Sequence, residues 1–183
     1  MQERPGLDVA VILRKLPTSS RWQPWRWELE DVVANEGFAG DAPRLLHRDA
    51  QGERWLHPGL RVELFRDEAE GYYLNLTTPA PAWFVLWRME DEASVAEEPI
   101  PRPLIVTLSY NEAGRWLDAQ ETVEQVPASP EVVEWMRLFA EAHYVPEPKQ
   151  RKRPESFRRL EDRFGQPASV TTEKKRGGGE GHG

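Results

Sequence analysis

The 183-residue chain contains no cysteine. That excludes disulfides, thiolate metal sites and ligation of an iron–sulfur cluster by the chain's own thiolates. Histidine is scarce too, with four in all: His47, His57, His143 and His182. They are scattered, with no His-Glu-x-x-His spacing, and the two that face each other across an expected hairpin, His47 and His57, would supply half a metal site at most. The glycine run at 177–179 has no strand before it and no helix after it, so it is no phosphate cradle. No apolar run reaches the roughly 18 residues of a membrane helix. The first eight residues hold no apolar segment of signal-peptide length. The expectation is a soluble, cytoplasmic protein with no metal and no cofactor of its own.

Charge is unevenly spread. Residues 1–146 carry 14 Lys and Arg against 25 Asp and Glu, a net of −11, whereas residues 147–183 carry 10 against 6, a net of +4. The split suggests an acidic globular domain over 1–146 and a basic, largely flexible tail over 147–183. An acidic body repels phosphate, which weighs against nucleic acid as the partner.

What the chain has in excess is tryptophan, eight in all. Three of them fall in the stretch RWQPWRWEL, residues 21–29. From Trp25 the apolar residues Trp25, Trp27 and Leu29 alternate with Arg26, Glu28 and Glu30, the period of a half-buried strand. Leu7 to Leu16 is a Val/Ile-rich strand closed by Pro17, and Thr18-Ser19-Ser20 turns the chain into the tryptophan strand. Segments 44–48 and 53–57 read as a hairpin over Asp49-Ala50-Gln51-Gly52, and His57-Pro58-Gly59 as a second turn before a strand over Leu60, Val62 and Leu64. Asp67 to Gly71 reads as an acidic hairpin turn, with a strand returning over Tyr72 to Thr77. Trp83 to Met89 is apolar almost throughout, which fits a central strand buried on both faces. Glu90 to Pro103 is acidic and proline-bearing, an exposed loop, and Leu104 to Leu108 is a strand. Asn111-Glu112-Ala113-Gly114 reads as a turn with a strand returning to Val126; a helix over 112–124 is the alternative.

The clearest helix is 130–144. Ser129 suits the N-cap, Pro130 the first helical position and Glu131 the first turn. Val132, Trp135, Met136, Phe139, Ala140 and His143 form one stripe at helical spacing. These elements predict an α+β, mostly β fold: a curved antiparallel meander or barrel of about eight strands, capped by one C-terminal helix. The order resembles a pleckstrin-homology-like barrel at the level of fold. In the tail, Lys149, Arg151, Lys152 and Arg153 form a basic cluster. A short helix over 155–164 would place Phe157, Leu160 and Phe164 on one face. Three readings stand for it: docking on its own domain, folding in a partner's groove, or disorder without a role.

Tryptophan and arginine are favoured at the centres of protein interfaces. Trp27, Trp83, Trp87 and Trp135 are expected in the core. For Trp22 and Trp25, beside Arg21, Pro24 and Arg26, core and exposed partner site are both open. No arrangement of residues carries a catalytic motif. Glu28, the acid nearest the tryptophans, falls on the face opposite Trp25 and Trp27.

Five blocks (RWQPWRWEL, RWLHPGLRVELFRDEAEGYYLNL, PAWFVLWRM, SYNEAGRWLDAQE and HYVPEPKQRKRP) carry a resemblance over residues 7 to about 155. Together they resemble an uncharacterised proteobacterial family, a domain of unknown function. Its genes often stand beside those for formate dehydrogenase subunits and their maturation proteins. The resemblance brings no active site. It implies an accessory role around a molybdenum- or tungsten-dependent formate dehydrogenase.

The resulting expectation is a non-catalytic interaction protein, an assembly factor or small subunit of such an enzyme. Arg21, Trp22, Trp25 and Arg26 would form one contact surface, and Lys149, Arg151, Lys152, Arg153, Phe157, Leu160 and Phe164 another. The partner would be the catalytic subunit or its maturation factors. The alternative is a ligand-binding protein or enzyme with a Trp/Tyr-lined pocket fed by Arg21, Arg26, Tyr72 and His57.

Overall fold

Alternation in the first strand sets the architecture. Val9, Val11 and Leu13 point to one side of β1 (Gly6–Pro17), and Ala10 and Ile12 to the other. In a computed structural model that describes residues 3–34, 37 and 40–146, both sides are buried, so β1 lies inside its sheet. It pairs antiparallel with β2 (Trp25–Ala34) on one side and β4 (Gly52–Glu63) on the other. β4 pairs in turn with β3 (Arg44–Asp49), giving the order β2-β1-β4-β3. A second antiparallel sheet places β5 (Ala82–Met89) between β6 (Pro101–Thr107) and β7 (Thr122–Pro127). The first six residues of β5 are buried, as its apolar run predicts for a strand covered on both faces.

Three helices complete the described residues: α1 (Ala69–Leu76), α2 (Tyr110–Asp118) and α3 (Pro130–His143). A 3-10 turn, Arg66–Glu68, leads into α1. The main core gathers Val9, Val11, Leu13, Leu29 and Val32 from the first sheet with Trp83, Val85 and Trp87 from β5. Tyr72 of α1 and Met136 and Ala140 of α3 join it. The helix over 130–143 forms as its sequence reads. Ser129 Oγ accepts from the Val132 N–H at 3.3 Å, Pro130 opens the helix, and Val132, Trp135 and Phe139 pack against the core. His143, at its end, rests on the Phe139 ring at 4.4 Å.

The meander of about eight strands is corrected to seven strands in two sheets, with no closed barrel among the described residues. Three local readings account for the difference. His57-Pro58-Gly59 does not turn. β4 runs straight through it, and the register slips by one residue between Val9 and Val11 on β1. Gly59 takes φ +89°, open to glycine at little cost, so the extra residue becomes a bulge instead of a reversal.

Asp67 to Gly71 is no hairpin turn, and Tyr72 to Thr77 is no strand. Both belong to the 3-10 turn and α1. Ala69, Tyr72 and Asn75 recur at helical spacing and are buried, with Gly71 beside them. Gly71 sits inside the helix because a Cβ there would come within 2.1 Å of Ser109 Oγ. Likewise Asn111 to Gly114 begins α2 instead of a turn. Ser109 caps it, accepting from the Glu112 N–H at 3.0 Å. The Ser-x-x-Glu spacing of residues 109–112 is the sequence signature of a helix start. The chain then reverses at Gln120, φ +65°, and only Thr122–Pro127 is strand.

The block YYLNL proves to be a fastener. The Asn75 side-chain amide donates to Ala82 C=O (2.8 Å) and Leu108 C=O (2.9 Å), and its oxygen accepts from the Ala82 N–H (2.9 Å). The Tyr72 hydroxyl accepts from the Phe65 N–H at 2.9 Å. Burial and the neighbouring carboxylates of Glu68 and Glu112 push the Tyr72 phenol well above its ordinary pKa. One carboxylate also bridges the two sheets: Glu124 Oε1 of β7 accepts from the Leu29 N–H of β2 (2.7 Å) and from Trp87 Nε1–H (2.9 Å).

Candidate interaction site at the β1–β2 tip

The hairpin between β1 and β2 ends at the pair Pro17–Trp25. Pro24 has no N–H to offer a ladder, so the strands open there into a loop over 18–24. That loop is held by its own hydrogen bonds. Thr18 N–H donates to Pro24 C=O at 2.8 Å, and Thr18 Oγ1 donates to Gln23 C=O. Ser20 N–H donates to Thr18 Oγ1 at 3.1 Å, and Ser20 Oγ accepts from Trp22 N–H at 3.1 Å and Gln23 N–H at 3.2 Å. Short hydroxyl side chains bonding to nearby backbone are what fold such a loop locally.

On this braced loop Trp22 is 95% exposed. Arg21, Gln23 and Pro24 are exposed beside it. Trp25 is half-buried at the foot of the loop, with Lys15 Nζ 5.0 Å from its ring centroid and 6.0 Å from that of Trp27. Lys15 also reaches Glu53 at 3.9 Å and Glu98 at 3.7 Å. Arg26 is exposed, and its guanidinium bonds Glu28 at 2.6 Å, with Arg14 on the other oxygen. Burial works to raise the Glu28 carboxyl, but the bonds from Arg14 and Arg26 outweigh it, and its pKa lies below the ordinary value. Glu28 is thus a structural carboxylate pinned between two arginines.

The four predicted surface residues therefore share one hairpin end with unequal roles. Trp22 and Arg21 project, Arg26 is paired, and Trp25 serves as a base. Trp83 and Trp87 are buried, and Trp27 and Trp135 pack half-buried on the core. Lys149, Arg151, Lys152, Arg153, Phe157, Leu160 and Phe164 lie outside the described residues.

The residues named for a ligand pocket do not converge. Tyr72 is in the core, and Arg21 and Arg26 are at the tip. His57 faces inward from β4, 3% exposed, with Nε2 unpartnered. Its pKa falls to about 4, mainly through burial and secondarily through Arg102, against a small opposing pull from Glu90. His47 does not meet it: His47 stands opposite Arg54, is exposed, and shares a hydrogen bond with Asp49 at 2.7 Å. Two clefts among the described residues bear on this reading. One of about 420 Å³ is mostly apolar and lies by Leu7, Val32, Trp83, Ala128 and Val132. The other, about 300 Å³, is lined by Arg14, Lys15, His47, Glu53 and Arg54. None of the four named pocket residues lines either.

Among the described residues no group of three His, Asp or Glu is placed to hold a metal ion, and no helix is long and apolar enough to cross a membrane. No curated protein and no solved structure matches the chain. The model of one family, described as "Protein of unknown function (DUF3305)", matches residues 8–153, most of the chain's length, and the chain belongs to that family.

Proposed function

We propose that this protein is a non-catalytic interaction protein, cytoplasmic, that docks on another protein through the β1–β2 tip. One observation carries the reading: a tryptophan left 95% exposed on a loop whose own hydrogen bonds hold it in place. A large apolar ring in water has a standing tendency to be covered. A rigid loop lowers the entropic cost of covering it, since little freedom is lost on binding. Single exposed apolar residues are ordinary on protein surfaces. The bracing of this one, with an arginine beside it, supports a docking role.

The partner we propose is the catalytic subunit of a molybdenum- or tungsten-dependent formate dehydrogenase, or a maturation factor that serves it. The resemblance to a family encoded beside such enzymes supports this choice. The basic tail, through Lys149, Arg151, Lys152, Arg153 and the Phe157/Leu160/Phe164 face, would add a second contact, so that two weak contacts on one chain act as a stronger one. Affinity capture from the native cell, with the tagged protein at its natural level, tests the partner. Formate dehydrogenase subunits at near-equal amounts indicate a small subunit. Low amounts, or cofactor-free chains alone, indicate an assembly factor. Absence of both enzyme subunits and maturation factors at gentle salt would rule the partner out.

A further inference from the structure

Four acceptors of the tip loop are used within it: Thr18 Oγ1, Ser20 Oγ, Gln23 C=O and Pro24 C=O each receive a hydrogen bond from inside the loop. The outward side-chain donors of Arg21 and Trp22 have no partner among the described residues. The buried indoles of Trp55 and Trp87 donate to Glu53 and Glu124, both at 2.9 Å, whereas the indole N–H of Trp22 has no acceptor among the described residues. Arg21 is more singular. Arg4, Arg14, Arg26, Arg48, Arg54, Arg61, Arg88, Arg102, Arg115 and Arg137 all hold ion pairs, and Arg44 and Arg66 are also engaged. Among the described arginines, Arg21 alone is unpaired. In a domain with 25 carboxylates against 14 basic residues, an arginine without a carboxylate stands out.

We infer that the tip enters an apolar socket on a partner protein that bears a carboxylate at its rim. The socket covers the Trp22 ring. The carboxylate takes the Arg21 guanidinium, whose planar fork of donors suits two parallel bonds to such a group. A rim oxygen takes the indole N–H. The acid is local, one or two side chains, because the domain's own net of −11 repels a broadly acidic surface. The same charge disfavours a nucleic-acid phosphate as the acceptor. This deepens the docking role proposed above and rests on it, but not on the identity of the partner.

Photocrosslinking in the native cell tests it. A p-benzoylphenylalanine replaces the exposed Gln23, leaving Arg21 and Trp22 in place in the full chain, and the crosslinked peptides are sequenced by mass spectrometry. The expected product joins position 23 to a protein segment where apolar residues flank an Asp or Glu. Trp22→Ala and Arg21→Glu should each cut the yield at least tenfold. Arg137→Glu, the same charge change on α3, should leave it unchanged. If the segment belongs to a formate dehydrogenase subunit or its maturation factor, socket and partner both stand. Should it belong to another protein, the socket stands and the partner falls. No crosslink, a segment without an acid, crosslinking to nucleic acid, or equal loss from Arg21→Glu and Arg137→Glu would overturn the socket.

Discussion

Trp22 and His57 are opposite cases of a side chain in the wrong medium: one is apolar in water, the other polar in the core. Trp22→Ala removes nothing that the fold uses, so stability should stay within about 0.5 kcal/mol by urea unfolding. Partner capture should meanwhile fall roughly tenfold or more. His57 predicts a pH effect. Its folded pKa of about 4 lies below the ordinary 6.5, so the unfolded chain takes up the proton first as pH falls. Stability should be full above pH 6.5 and decline as pH drops toward 4, by about 3 kcal/mol in all. His57→Leu should abolish that part of the decline and cost little at pH 7, since Nε2 has no partner to lose. Urea midpoints at pH 5 and 7 for both proteins check it. The sequence could not disclose this. A histidine before Pro-Gly reads as a turn residue, and only the bulge at Gly59 turns it inward.

At the scale of elements, two side chains join what the backbone does not. Asn75 ties α1 to β5 and to the end of β6. Asn75→Ala leaves two carbonyls and one N–H short of a partner in the core, and should cost about 2–4 kcal/mol by thermal or urea unfolding. Glu124 bridges the sheets at β2 and β7. Glu124→Ala should cost about 1–3 kcal/mol, and Glu124→Gln, which keeps an accepting oxygen, should recover most of it. Neither role is visible in the chain, because both depend on which segments the topology brings together. Strand and helix identity was legible where the apolar period was long: β1, β2, β5 and α3 lie where the sequence puts them. It failed where the pattern was short. Tyr72 to Thr77 carries apolar residues that suit strand or helix alike, and packing against α3 decided for the helix. The start of α2 was legible in Ser109 and Glu112 but outweighed by Gly114, which is buried in the helix.

For the molecule as a whole, the described residues contain a continuous core drawn from both sheets and from α1 and α3. Truncation after Pro148 should therefore leave the unfolding midpoint of the domain unchanged while weakening partner capture; a domain that unfolds on truncation would contradict this division. The tip could be singled out in the sequence by composition alone, as three tryptophans and two arginines in the seven residues 21–27. Which of them projects was not legible, because the projection comes from Pro24 ending the ladder and from Thr18 and Ser20 closing the loop. In the proposed function the tip makes the contact with the partner. The most direct measurement is a calorimetric titration of purified cofactor-free formate dehydrogenase catalytic subunit with the full chain and with its Trp22→Ala form. Binding by the first and at least tenfold weaker binding by the second is the expected result. Equal affinity of the two forms would contradict it.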